Sequence, residues 1–313
     1  MPLPYHRLLR ALPSYRWWRP LLAVVLAVVL YLVLANVTVL AVVAGARLVA
    51  PESVAGLSGR LASDPLAASD PLVMLVTLGS IATMVPAVLL ATATVGRGAA
   101  GRLWSVEGRL RRRWLVRCLP AGAAFVAVSV GLGSVVLPLL LGEGVDPGPV
   151  TTPPSSLAWS VLVVVLLVPL QATGEELAFR GLGQQALGAW VARPVVAVVV
   201  PTVGFGLAHD YNVWGVLDVA LFGVAAAWLT WRTGGIEAAV VGHVLNNVVL
   251  FLLLAPFAGS PSPDGSPLGL AVSLVAVPTW VALVLRAQRR HAPARLLPTP
   301  PAPGSVPTGG ATS

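Results

Sequence analysis

Of 313 residues, 57% are hydrophobic and only 10% are charged, against about 25% in a soluble domain, which excludes a water-soluble globular protein. The formal net charge of +8 rests on twenty arginines and no lysine. Most of these lie in short segments between apolar runs, where they set membrane orientation and attract anionic headgroups; this excludes a nucleic-acid-binding reading. A single cysteine, Cys118, excludes an intramolecular disulfide and a cysteine-based metal site.

Residues 1–19 are basic and aromatic, with Arg7, Arg10, Arg16, Arg19 and the pair Trp17-Trp18. They are expected to lie at the membrane interface with the tryptophans at headgroup level. The first apolar run, 21–46, exceeds the roughly 7–15 residues of a signal-peptide core, so it is read as a retained span. Residues 20–156 hold three spans with their loops, at about 21–46, 72–95 and 119–141. The loop 97–117 carries seven arginines and one acid, Glu107, and reads as a positive-inside loop.

Residues 157–257 form a core of four more spans. The fourth starts at Leu157 and runs into Glu175, Glu176 and Arg180. The fifth, from Pro194, ends at His209. The sixth contains Asp218, and the seventh contains Glu237, His243 and Asn247. The last span falls within 258–290, and the Pro-rich tail 291–313 is expected to be disordered. The fold class is therefore all-α polytopic, with about eight transmembrane helices. Arginine-rich segments at both ends, after the second span, and at Arg193 and Arg232 put both termini in the cytoplasm.

Ionisable residues at membrane depth are costly and mark a functional site. A rise of about 1.5 Å per residue places Glu175 about 20 Å, His209 about 22 Å, and His243 with Asn247 about 13–20 Å from the cytoplasmic ends of their helices. All four fit one level of a core about 30 Å thick, provided that Gln184 and Gln185 face protein or a wet cavity. Glu176 and Arg180 are i,i+4 with the acid first, the favourable order for an ion pair, and read as a structural anchor. Glu175 points about 100° away, free to act as general base or metal ligand. Phe205 shares a face with His209 and reads as a wall of the site. Asp218 and Glu237 suit a polar path or helix packing; His6 and His291 are assigned no role.

The segments Glu175-Glu176-xxx-Arg180, Phe205-xxx-His209 and His243-xxx-Asn247 resemble the three motifs of the CPBP (CAAX protease and bacteriocin-processing, or Abi) family of intramembrane peptidases. The resemblance covers about 157–257. It implies that Glu175 and His209 activate a water, and that His243 and Asn247 hold the developing oxyanion, with Glu176, Arg180 and Phe205 in support. The family's common label as metallopeptidase implies a second option, one divalent zinc on Glu175, His209 and His243. Two histidines and a carboxylate with an open position suit catalytic zinc, although the HExxH helix is missing. Glutamate catalysis without a metal is the preferred reading.

The function implied is an intramembrane endopeptidase of the cell membrane, multi-pass, with its site inside the bilayer. Its partners would be membrane lipids and a membrane-bound peptide or protein, a prenylated CAAX-type substrate among them, and no nucleic acid. Two alternatives stand beside it. Intramembrane Glu, His and Asp also suit a proton-coupled transporter, but no paired repeat is visible. A catalytically inactive immunity or scaffold protein is the other, against which all four candidate residues are present.

Overall fold

The computed structural model describes residues 2–145, 148–257 and 265–297. Long apolar sequences free of internal polar punctuation can satisfy their backbone inside a bilayer only as helices, and the described chain is helical nearly throughout. Among the described residues, seven helices are long and apolar enough to cross a membrane. They are α1 (Arg19–Val49), α2 (Pro71–Ala93, broken at Thr83), α3 (Arg112–Leu140), α4 (Pro154–Trp190), α6 (Val213–Thr233), α7 (Glu237–Leu254) and α8 (Pro267–His291). Between α4 and α6 lies α5 (Pro194–Leu207), with only 14 residues.

The expected fifth span is thus shorter than foreseen. At about 1.5 Å per residue α5 covers roughly 21 Å, less than the ~30 Å hydrocarbon core. It still counts as a traverse of the fold. The two chain ends meet in a small antiparallel ladder of β1 (Leu3–Pro4) and β2 (Leu296–Leu297), with Leu3 opposite Leu297. Ends on one side require an even number of crossings, and seven long helices supply an odd one.

Helix starts follow local chemistry. Asp70 caps α2 by accepting from Leu72 N and Val73 N ahead of Pro71, Asn212 caps α6 through Gly215 N, and Ser266 caps α8 through Gly269 N. Outward faces remain apolar: Leu32, Val33, Leu40, Leu166 and Val203 are all exposed, as lipid contact requires.

The N-terminal segment departs from the interfacial expectation. Trp17 and Trp18 are exposed, but Tyr5, Leu8 and Leu9 of the 3-10 helix Tyr5–Ala11 are fully buried. The Tyr5 hydroxyl donates to Leu103 O, His6 Nε2 to Ala192 O at 3.0 Å, and Arg10 Nη1 to Ala189 O at 3.1 Å. The segment therefore plugs the end of α4 instead of lying flat on lipid. Its apolar side chains fall on one face of a short helix, and packing wins over interfacial adsorption. The tail expected to be structureless from 291 is ordered as far as β2; residues 298–313 lie outside the described ones.

One buried ion pair ties this end of the bundle together. Arg111 Nη2 meets Glu237 Oε2 at 2.7 Å and its Nε meets Oε1 at 2.8 Å. Its Nη1 donates to Thr233 O and Ala294 O. The guanidinium thus joins the loop before α3, the α6–α7 turn and the segment leading to β2. Burying a bidentate pair is tolerable because every guanidinium nitrogen is bonded.

Removing one partner leaves a buried charge alone. Arg111→Ala is expected to lower unfolding free energy by about 3–5 kcal/mol, whereas Arg109→Ala, whose partner Glu107 is surface-exposed, should stay within about 1 kcal/mol. Chemical unfolding of the two variants in detergent micelles checks the contrast.

Candidate functional site

The polar residues of α4 and α7 face each other, and each helix carries a glycine beside them. A Cβ at Gly174 would stand 2.9 Å from Met84 Cβ and 3.3 Å from Val85 N of α2. A Cβ at Gly242 would stand 2.5 Å from the Trp280 ring of α8. These close approaches seat Glu175 and His243, the following residues, at a fixed depth in the bundle. Immediately after Glu176 the helix opens into a π-helical stretch, Leu177–Gly183, a distortion frequent at functional sites.

The resulting contacts form one chain. Arg180 Nη1 donates to Glu176 Oε1 at 3.1 Å. The same oxygen accepts from His243 Nδ1 at 2.7 Å. On the other side of the imidazole, Nε2 lies 3.5 Å from Glu175 Oε2. Glu175 Oε1 accepts from Gln171 Nε2 at 2.7 Å, and Asn247 Nδ2 reaches Gln171 Oε1 at 3.4 Å. Glu175, Glu176, Arg180 and His243 are all buried. Two carboxylates and one guanidinium leave one negative charge, and the His243 imidazole lies between the two acids.

Glu176 therefore does more than anchor Arg180, since it also orients His243. Glu175 is partnered by His243 rather than by His209. Among the described residues, no hydrogen bond or ion pair joins His209 to Glu175. His209 follows the end of α5, with Nδ1 donating to Phe205 O at 2.7 Å. A carbonyl can only accept, so Nδ1 carries a proton. The Phe205 ring packs edge-on against both His209, at 4.7 Å between centroids, and His243, at 6.0 Å. Its face receives the Arg180 guanidinium at 4.0 Å, which compensates the unbonded Nε and Nη2. Phe205 thus touches both histidines.

Gln184 and Gln185 are buried against protein, bonding Ala227 O and Arg102 O. Asp218 turns toward Ser273 of α8, away from the carboxylate cluster, and Glu237 belongs to the Arg111 pair. Two contributors escape sequence reasoning. Tyr211, in the turn between α5 and α6, packs on His209 at 5.3 Å; burial pushes its phenol up, and the charge of Glu175 adds to the shift. Gln171 sits one helical turn before Glu175, and that i,i+4 spacing is the signal that could have found it.

The donor set does not fit a metal ion as placed. Among the described residues, no three His, Cys, Asp or Glu side chains gather into a metal-holding group. Both ring nitrogens of His243 face carboxylates, and His209 stands across the Phe205 ring.

An apolar cavity of about 410 Å³ adjoins the cluster. Leu21, Val24 and Val28 of α1, Phe179 and Leu182 of α4 and Val200 of α5 are among its walls. Phe179 also packs edge-on against Phe205 at 5.2 Å, so one ring separates the cavity from the ring that touches both histidines.

Comparison with known proteins bears on this same region. Residues 154–249 match the family model described as Type II CAAX prenyl endopeptidase Rce1-like. The chain is also similar to the uncharacterized protein YyaK of Bacillus subtilis (strain 168), 30% identical over 138 residues, or 39% of this chain and 46% of that protein. The chain thus spans about half the length of that relative. No solved structure matches.

The two acids should separate in a stability measurement. Glu176→Ala strands Arg180 and is expected to cost about 3–5 kcal/mol. Glu175→Gln keeps an acceptor for Gln171 and should change stability by no more than about 1 kcal/mol. Thermal unfolding of both variants in one detergent tests the difference.

Proposed function

Since residues 154–249 form an Rce1-like domain, we propose that this protein is an intramembrane endopeptidase that hydrolyses a peptide bond in a membrane-associated, lipid-modified substrate. One observation carries the proposal. Among the described residues, Glu175 Oε2 is buried without a hydrogen-bond partner, while Oε1 is fixed by Gln171 and His243 stands alongside at 3.5 Å. A carboxylate held on one side and open on the other is what a general base on water requires.

In this reading Glu175 takes a proton from water as the water oxygen attacks the scissile carbonyl. His209, with Nε2 as acceptor, orients that water from the far side of Phe205. His243, held through Nδ1 by Glu176, turns a protonated Nε2 toward the developing oxyanion, and the Asn247 amide adds a second donor. The proton on Glu175 then passes to the leaving nitrogen as the C–N bond breaks. Tight burial of the cluster keeps bulk water from screening these interactions.

The cavity supports the substrate class. Its walls are apolar, it lies at bilayer depth, and its volume suits a single alkyl or isoprenoid chain rather than a folded side-chain cluster. A lipid tail lodged there would place the attached peptide near Phe205 and the carboxylates. CAAX-type prenylated peptides are the first class to try.

The test is cleavage of a prenylated fluorogenic peptide by the protein reconstituted in lipid vesicles, with fragments identified by mass. Glu175→Gln, His243→Ala and Asn247→Ala should each lower kcat by about 10²–10³-fold, and His209→Ala by about 10²-fold or more. Full activity in Glu175→Gln would sink the proposal. A second measurement addresses the cavity: Val200→Trp, filling its wall, should raise KM for the prenylated peptide about tenfold while leaving an unprenylated peptide of the same sequence unchanged.

A further inference from the structure

We infer that Gln171 is a positioning residue that couples the charge of Glu175 to the orientation of the Asn247 amide, so that the base and an oxyanion donor are set together. The inference rests on the peptidase reading and adds a residue to it.

Gln171 lies in the apolar stretch of α4 and is 5% exposed. An uncharged amide that deep has few partners, and both of its used atoms point to candidate catalytic groups. Glu175 Oε1 can only accept, so the Gln171 amide must turn Nε2 toward it, and the 2.7 Å contact follows. That choice leaves Oε1 facing α7. An oxygen there can only be met by a donor, so Asn247 must present Nδ2, at 3.4 Å. Its Oδ1 is then left to accept from Asn246 Nδ2 at 3.3 Å.

The consequence is directional. An asparagine side chain has two ends of nearly equal size and opposite polarity. Turned the other way, Asn247 would aim an acceptor at a developing negative charge. With Nδ2 toward Gln171, one amide hydrogen serves the bridge and the second remains for the oxyanion. Gln171 thus transmits the negative charge of Glu175 across to α7 as a preference for the productive amide rotamer. It touches neither water nor substrate in this scheme and acts through the two residues that do.

The measurement is steady-state cleavage in vesicles by Gln171→Met, Gln171→Glu, Glu175→Gln and wild type. Methionine matches glutamine closely in volume and shape, so a role confined to packing predicts wild-type kinetics. A positioning role predicts KM within about threefold and kcat lower by about 10–100-fold. Gln171→Glu keeps the acceptor for Asn247 but sets a second carboxylate against Glu175, and should lose at least as much. The Gln171→Met loss should shrink at least threefold in an Asn247→Ala background, because linked residues are not additive. Wild-type kcat in Gln171→Met beside an inactive Glu175→Gln overturns this inference alone. A wild type that cleaves nothing, or an active Glu175→Gln, overturns it together with the peptidase reading. Should Gln171→Met fail to fold, undiminished kcat in Gln171→Glu overturns it equally.

Discussion

Removing a carboxylate from water into hydrocarbon costs several kcal/mol after every relaxation, and this bundle does it twice at adjacent positions. Glu176 is the fixed point. Its Oε1 holds Arg180 on one side and His243 on the other, so one atom links α4 to α7. Arg180 in turn leans on Phe205 of α5. Three helices are thereby set in register by one buried charge, and Glu175, one residue earlier, inherits its position from that arrangement.

The same logic governs the start of α7. Arg111 and Glu237 form a second buried pair, and its remaining donors collect carbonyls from segments far apart in sequence. Both clusters bridge elements that hydrophobic packing alone would leave free to slide, because apolar side chains do not specify register in an apolar solvent. The glycines at 174 and 242 let α4 approach α2 and α7 approach the Trp280 ring of α8.

Most of the bundle was legible in the sequence. Hydropathy marks every helix, and ionisable residues within apolar runs stand out as costly exceptions. Glu175, Glu176, Arg180 and His243 stand out for that reason, and Phe205 and Asn247 by their i,i+4 spacing to His209 and His243. What sequence could not supply was rotation about each helix axis. Whether His209 or His243 meets Glu175 depends on how α5 and α7 are turned, which follows from packing with distant partners. Arg111 is one of seven arginines in its loop, and nothing local distinguishes it from Arg109. The burial of Tyr5, Leu8 and Leu9 escaped because a short basic, aromatic segment has the same composition whether it rests on lipid or on protein. The short α5 escaped because hydropathy continues past its last turn.

The Glu176–Arg180 pair has a further meaning for how the chain is made. A ribosome delivers α4 to the membrane before α7 exists, so His243 cannot yet assist. An acid that had to wait 67 residues for its counter-ion would resist leaving the insertion channel. Because Arg180 lies one turn along the same helix, α4 carries its own neutralising charge into the lipid. Only Glu175 then enters uncompensated, one charge where there would otherwise be two. The order of synthesis and the order of charge pairing therefore agree, and the site closes when α7 arrives.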